Sequence, residues 1–357
     1  MTITEDAILK VLSRVQDPDL NRDIVSLDFV KNIRIENGAV SFDVELTTPA
    51  CPVKDMLRDQ CLNEVRSLGV KDVTVNMTSR VRSAPVYGKQ LVPGIRNLIA
   101  VASGKGGVGK STVCINLAIA LAKTGARVGV MDCDLYGPSV PSLVGIHNKA
   151  PMGGDKKIIP HEVHGLKTIS MGYLIERNKA VGWRGPMLSK MLQQFLFQVS
   201  WGELDYLLLD LPPGTGDVQL TLTQSTPLSA AVLVTTPQDV ALRDVEKGLA
   251  MFKEANVPVL GIVENMSYYL CGKCSKKHRP FGEGGGKKIA ASEKIPFLGE
   301  LPLDPRIPSE LGSGEPIVIR DGDGPLGTAF RELAGKMVAE FSQISQTWSP
   351  GPGVMEV

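Results

Sequence analysis

Ser103-Gly104-Lys105-Gly106-Gly107-Val108-Gly109-Lys110-Ser111-Thr112 is the stretch from which the rest of the chain is read. It satisfies G-x-x-x-x-G-K-[ST]. The apolar run 98–102 precedes it and the helical-looking segment 113–123 follows it, which is the strand, loop and helix order that a phosphate loop requires. Gly104, Gly106, Gly107 and Gly109 let the backbone curl with its N–H groups turned inward around a phosphate, and the start of the next helix adds partial positive charge. In this reading Gly104 to Thr112, Val108 included, line the phosphates. Lys110 holds the β- and γ-phosphates and the Ser111 hydroxyl sits on Mg²⁺.

Outward from the loop, strand-like apolar runs alternate with helical patterns. The expected strands are 98–103, 128–132, 166–170, 206–210, 231–235, 259–264 and 297–301. The expected helices are 111–123, 187–199, 218–225, 239–255, 285–292 and 325–345. Near-continuous apolar strands between helices predict a parallel sheet covered by helices on both faces, so the fold class is α/β. Such sheets bind ligands at the carboxyl ends of their strands, where the chemically suggestive residues fall.

Residues 1–80 read as a smaller α/β domain that precedes this one. Ile8, Val11, Leu12 and Val15 recur at helical spacing behind a capping pair, Thr2 with Glu5. Residues 29–35, the turn Asn37-Gly38 and the alternating Val40, Phe42, Val44 and Leu46 spell a β-hairpin. A second helix follows with Met56, Leu57, Cys61, Val65 and Leu68 on its buried side, and 73–75 close the unit as a strand. Residues 81–97 read as a linker, 98–346 as the phosphate-loop domain and 347–357 as a disordered tail.

Three further clusters carry chemistry. Asp132 and Asp134, one residue apart just past a strand, suit a metal-phosphate site and the orientation of an attacking water. Asp210 ends the run Leu207-Leu208-Leu209 and is placed to bind Mg²⁺. In the following Pro212-Pro213-Gly214-Thr215-Gly216-Asp217 loop, the Gly214 N–H can meet a γ-phosphate only while that phosphate exists. Cys271-Gly272-Lys273-Cys274 can hold zinc, iron or an iron-sulfur cluster, or form a redox disulfide. Two thiolates do not complete a four-cysteine site, and the nearby candidate within one chain is His278. Cys51 precedes a helix, whose N-terminus is expected to lower its pKa below the free value of about 8.5; the alternative is a small buried residue in a turn. Cys61, Cys114 and Cys133 read as packing thiols, and His147, His161 and His164 lack ligand spacing.

Composition excludes several classes. A net charge of +1 over 357 residues leaves no basic surplus, so nucleic acid is not an expected partner. The acidic start is unlike a secretory signal, and six scattered cysteines point to a reducing compartment, so the cytoplasm is expected. The helix 325–345 places Leu326, Phe330, Leu333, Met337, Phe341 and Ile344 on one face. Its opposite face mixes Arg331, Glu332, Lys336 and Glu340, which favours packing over membrane attachment.

Lys105 makes the loop resemble the deviant phosphate loop, K-G-G-x-G-K-[ST], of the MinD, ParA and nitrogenase iron-protein superfamily. That resemblance implies ATP hydrolysis in a homodimer, with Lys105 acting across the dimer in the manner of an arginine finger. It also implies that Asp134 positions the hydrolytic water, Asp132 supports the metal and Asn265 reads adenine. The deviant loop, Asp132 and Asp134, the 212–217 loop, Cys271 and Cys274, and Pro280-Phe281-Gly282 occur in the order seen in the Mrp/ApbC family of iron-sulfur carrier ATPases. Two copies of Cys271 and Cys274 meeting on a twofold axis give four ligands, matching a bridging 4Fe-4S cluster. Thr48-Pro49-Ala50-Cys51-Pro52 resembles the cysteine motif of the small iron-sulfur-assembly domain often fused to this family. The implied partners are a second copy of the chain, apo iron-sulfur proteins and cluster scaffold proteins. The rivals are a MinD- or ParA-type positioning ATPase, an ATP-gated electron donor and a structural zinc half-site.

Overall fold

In the computed structural model, the residues described are 3–347 apart from 37, 82, 84–88, 136, 155, 175–184, 215, 217–218, 221–222, 225, 275 and 308–312. They form two compact units, Met1–Arg82 with Val338–Thr347, and Ser83–Met337. The tail expected over 347–357 lies outside the described residues from 348 onward, and half of the helix expected over 218–225 falls outside them, at 218, 221, 222 and 225.

The smaller unit comprises α1 (Glu5–Leu12), β1 (Val30–Glu36), β2 (Ala39–Leu46), α2 (Lys54–Arg66) and β3 (Val73–Ser79). β2 sits centrally, antiparallel to β1 and parallel to β3. The alternation in β2 becomes burial: Val40, Phe42, Val44 and Leu46 face a core with Ile8, Leu12, Leu57 and Val65. Two local expectations are corrected. The cap of α1 is Thr4, whose hydroxyl accepts from Ala7 N at 3.3 Å, so the helix begins two residues later than the Thr2 pairing, and Thr2 lies outside the described residues. Met56 is 42 % exposed, because the α2 stripe that faces the sheet runs through Leu57, Cys61 and Val65 at spacings of four.

The larger unit is built on β4 (Leu98–Ala102), α3 (Lys110–Ala122), β5 (Val128–Asp132), α4 (Val140–Val144), β6 (His161–Val163), β7 (Leu166–Ile169), α5 (Gly185–Phe197), β8 (Tyr206–Asp210), β9 (Ala230–Thr235), α6 (Asp239–Glu254), β10 (Val259–Leu270), β11 (Lys277–His278), α7 (Gly285–Glu293) and β12 (Phe297–Pro302), with α8 (Ile317–Arg320) and the start of α9 (Pro325–Thr347). Nine strands among the described residues run in the order β11-β10-β9-β4-β8-β5-β7-β6, with β12 on β10. The pairs β8–β4, β8–β5, β9–β4, β9–β10, β5–β7 and β10–β12 are parallel. The edge pairs β10–β11 and β6–β7 are antiparallel. β4, β5 and β8 are buried along their whole length, which is why they read as unbroken apolar runs. α3 is buried on nearly every face. Val318 N in α8 donates to Asn116 Oδ1 on it at 2.9 Å, so α8 covers the side that the sheet leaves.

Two elements depart from expectation. β6 arises inside residues 145–165, whose sequence carries no regular period and gives no strand expectation, and as an edge strand it needs only three residues to cover β7. β10 runs to Leu270 rather than stopping at Glu264. It is bent rather than ended there: Met266 has φ +55° and the register against β12 shifts between Glu264 and Tyr268. A non-glycine residue in that region costs on the order of 1 kcal/mol, and the bend redirects the strand beyond Asn265.

Candidate functional site: a phosphate loop joined to a cysteine hairpin

The loop leaves β4 at Ser103 and re-enters helix at Lys110. Gly109 caps α3 with φ +80°, and a Cβ there would meet Asn265 Nδ2 at 2.4 Å, so the position needs glycine for both conformation and space. Gly104 lies equally close to α6, where a Cβ would come within 2.3 Å of the Asp244 side chain.

β8 lies between β4 and β5, and its register sets Asp210 directly beside Asp132. Lys110 ion-pairs with Asp210 Oδ1, and its Nζ lies 3.3 Å from Ser111 Oγ. Both charges are buried, Lys110 at 6 % and Asp210 at 0 % exposure. Burial alone would push the Lys110 pKa down, but the Asp210 carboxylate outweighs it and holds it above the ordinary lysine value. Asp210 Oδ2 is buried and has no hydrogen-bond partner among the described residues. An unpaired buried carboxylate oxygen and a hydroxyl, both on residues that the Lys110 ammonium touches, are hard donors that suit a cation such as Mg²⁺, so Asp210 and Ser111 fit that ion.

Asp132 is differently engaged. Its Oδ1 accepts from Asp134 N at 3.1 Å, and its Oδ2 accepts from Val140 N at 3.3 Å and Ser170 Oγ at 2.9 Å. Burial, with Asp210 alongside, pushes its pKa up to about 8. Asp132 therefore organises the turn that presents Asp134. Asp134 is half-buried, with its Oδ1 accepting from Gly137 N at 3.1 Å.

Lys105 and Gly214 both contact their own chain. Lys105 Nζ donates to Gln238 Oε1, just ahead of α6, at 3.2 Å. The Gly214 N–H donates to the Ser103 carbonyl at 2.9 Å. Asn265, 5 % exposed, donates from Nδ2 to the Val108 carbonyl at 2.8 Å and so ties β10 to the phosphate loop. No local signal marks Gln238 or Ser170; each is brought in from another strand-helix unit.

Beyond the bend, β10 leads into the cysteine hairpin. Cys271 N donates to the Lys276 carbonyl at 3.0 Å, and Tyr269 pairs with His278 in β11. Cys271 is partly exposed, Cys274 exposed. The backbone N–H groups of Lys273 and Cys274, with the Cys274 thiol, point at Cys271 and lower its pKa below the ordinary thiol value. At the root of the hairpin, buried Glu264 accepts from Ser267 Oγ and Gly286 N, both at 2.6 Å. Arg279 donates to Ser267 Oγ at 3.1 Å and to both oxygens of Glu300. The hairpin is thus anchored beside Asn265 by a satisfied polar network.

Cys51 overturns its expectation. It packs against the core of the smaller unit, and burial pushes its thiol up to about 11, outweighing the Val53 N–H that favours the thiolate. Cys61, Cys114 and Cys133 are buried. Leu326, Phe330, Leu333, Met337 and Phe341 of α9 are buried as well, and no helix among the described residues is long and apolar enough to cross a membrane.

A parallel sheet with a lysine-bearing phosphate loop, a buried Asp at the end of the adjacent strand and a Lys near the loop's start define a P-loop NTPase of the ParA/MinD type, an ATPase. The family described as NUBPL iron-transfer P-loop NTPase matches residues 94–338, and the iron-sulfur cluster assembly protein family matches residues 5–77. The chain belongs to the NUBPL iron-transfer P-loop NTPase family, with an iron-sulfur-cluster-assembly domain at its N-terminal side. It is 44 % identical to the iron-sulfur cluster carrier protein of Synechocystis sp., over 95 % of this chain and 98 % of that one. Among solved structures, a nucleotide-binding protein of Archaeoglobus fulgidus in complex with ADP is 40 % identical with a TM-score of 0.56, covering 62 % of this chain and 88 % of that one. The septum site-determining protein MinD of Pyrococcus horikoshii, at 23 % identity and a TM-score of 0.51 over 71 % of this chain and 99 % of that one, shares the fold.

Proposed function

We propose that the chain is an iron-sulfur cluster carrier that binds and hydrolyses ATP with Mg²⁺. As a homodimer it assembles a 4Fe-4S cluster as cargo and hands it to apo iron-sulfur proteins. The observation that carries this reading is β10: it touches the phosphate loop through Asn265 and ends at Leu270, immediately before Cys271. The relatives named as carriers support the same reading.

In this mechanism Lys110 leaves Asp210 for the β- and γ-phosphates, which frees Asp210 and Ser111 to hold Mg²⁺. When bound, that ion withdraws charge from the phosphate oxygens. Asp134 orients the attacking water and Asn265 reads the adenine. The Gly214 N–H exchanges the Ser103 carbonyl for a γ-phosphate oxygen, and Lys105 exchanges Gln238 for the nucleotide of a second copy. Each exchange swaps one satisfied hydrogen bond for another, so small differences in phosphate charge can shift the loop. Cys271 and Cys274 of two copies supply four thiolates, and moving the copies apart halves that ligand set.

Anaerobic reconstitution with iron and sulfide, followed by addition of an apo-acceptor, tests the reading. The expected result is an absorbing cluster on the wild-type dimer that passes to the acceptor. Absence of the cluster, or its persistence after Cys271→Ala with Cys274→Ala, overturns the reading. Lys110→Ala is expected to abolish turnover. Chains carrying Lys105→Ala are expected to regain partial turnover when mixed with chains carrying Lys110→Ala.

A further inference from the structure

The cysteine hairpin holds a third donor that the four-thiolate reading leaves unused. In the antiparallel pair β10–β11, Tyr269 lies opposite His278, so their side chains share one face of the ribbon. Side chains two residues apart on a strand return to the same face, and Cys271 therefore lies diagonal to His278. The turn then folds Cys274 back toward Cys271. The result is compact: Cys271 Sγ, Cys274 Sγ and a ring nitrogen of His278 all lie within 4.8 Å of one another.

The set has the dimensions of a metal site. A tetrahedral ion bound at about 2.3 Å from sulfur and about 2.0–2.1 Å from nitrogen separates its ligand atoms by about 3.5–3.8 Å. Closing the remaining gap takes about 1 Å of movement by side chains that are exposed or partly so, and needs no backbone shift. Two thiolates and an imidazole select zinc, ferrous iron or cobalt over hard cations such as Mg²⁺. Lys273, Lys276 and Lys277 are exposed around the turn and offset the charge of two thiolates. Among the described residues these three are the whole donor cluster, so the fourth position stays open to an exchangeable ligand, which distinguishes the site from a closed structural one.

We propose that each single chain binds one thiophilic divalent cation through Cys271, Cys274 and His278. Binding releases the two thiol protons to solvent and leaves the fourth position for water or a donor's ligand. This goes beyond the carrier reading and does not depend on it, because the site is complete in one chain and needs neither sulfide nor nucleotide. It gives the hairpin a state in which an ion is held before two chains meet, with His278 occupying the place that a second chain's sulfur would take.

Cobalt(II) alone, added anaerobically to the full-length chain, is the probe. The expected result is one Co²⁺ per chain, tetrahedral ligand-field bands, sulfur-to-cobalt charge transfer, and displacement by Zn²⁺. His278→Ala is expected to weaken binding about tenfold or more and to lose the tetrahedral intensity, since losing a ligand costs at least what losing an outer-shell partner does. His278→Cys restores one ion per chain with stronger charge transfer. His278 is exposed, so neither variant threatens folding. An unchanged spectrum and affinity in His278→Ala, or one Co²⁺ per two wild-type chains, overturns the proposal. Cluster assembly that survives His278→Ala leaves the four-cysteine carrier reading standing, so the two readings fail separately.

Discussion

Replacing Lys110 with methionine removes the one charge paired with Asp210 among the described residues while keeping most of the side-chain volume. Asp210 would then be fully buried, beside the carboxyl of Asp132 in the neighbouring strand and with Oδ2 still unpartnered. Breaking a buried ion pair on one side costs about 3–5 kcal/mol, roughly 10²- to 10⁴-fold in the folding equilibrium. With a urea dependence of about 3 kcal/mol per molar, the midpoint of the larger unit should fall by about 1 M or more. Trp201 is buried in that unit and its fluorescence reports the transition. The double variant Lys110→Met with Asp210→Leu removes both charges, and apolar replacement of a buried pair is neutral to stabilising. It should therefore recover most of the lost stability while remaining unable to turn over ATP. A loss under about 1 kcal/mol in the single variant, or a double variant no more stable than the single, would refute the account of this pair.

Three other outcomes follow from the geometry. At pH 8 Cys51 should alkylate about two hundred times more slowly than a free thiol of pKa about 8.5, with its rate rising about tenfold per pH unit until the pH nears 11, whereas Cys271 reacts readily; mass spectrometry of iodoacetamide-treated protein separates the two. Asp205 accepts from Arg127 and Arg96, which overcome its burial and hold its pKa below the carboxylate value of 3.8, so the stability advantage of wild type over Asp205→Asn should be full above about pH 4 and fade as the pH falls below it, as read by urea titrations at several pH values. Gly109→Ala should cost about 1–2 kcal/mol from its backbone conformation alone, and should weaken nucleotide binding in calorimetry because the added Cβ displaces Asn265 from Val108.

Much of the larger unit was legible because its strands are buried on both faces. A fully covered strand needs apolar residues throughout, so the runs ending at Ala102, Asp132, Asp210 and Thr235 appear in the sequence with boundaries accurate to a residue or so. The strand ends were harder where the pattern lapsed: β10 continues through Glu264, Asn265 and Ser267 because those polar groups find partners in α7, the phosphate loop and Arg279. Helix caps and faces failed by small shifts at Thr4 and Met56, since neighbouring residues compete nearly equally for those roles until packing chooses. The Cys51 expectation failed for a different reason. A helix start favours a thiolate only if the sulfur remains solvated, and burial is not a local property.

What the sequence determined by itself was therefore the local chemistry: glycines that let a loop curl around phosphate, a lysine and a hydroxyl at its end, two cysteines three residues apart, and an alternation of strands and helices. These depend on residue type and near spacing, which chain connectivity preserves. Tertiary structure alone decided which groups meet. Lys110 reaches Asp210 a hundred residues away because β8 inserts beside β4, and Asn265 reaches Val108 because β9 separates their strands by only one position. His278 faces Cys271 because a hairpin register fixes it there. Strand order and burial set those encounters, and both are properties of the assembled sheet rather than of any one segment.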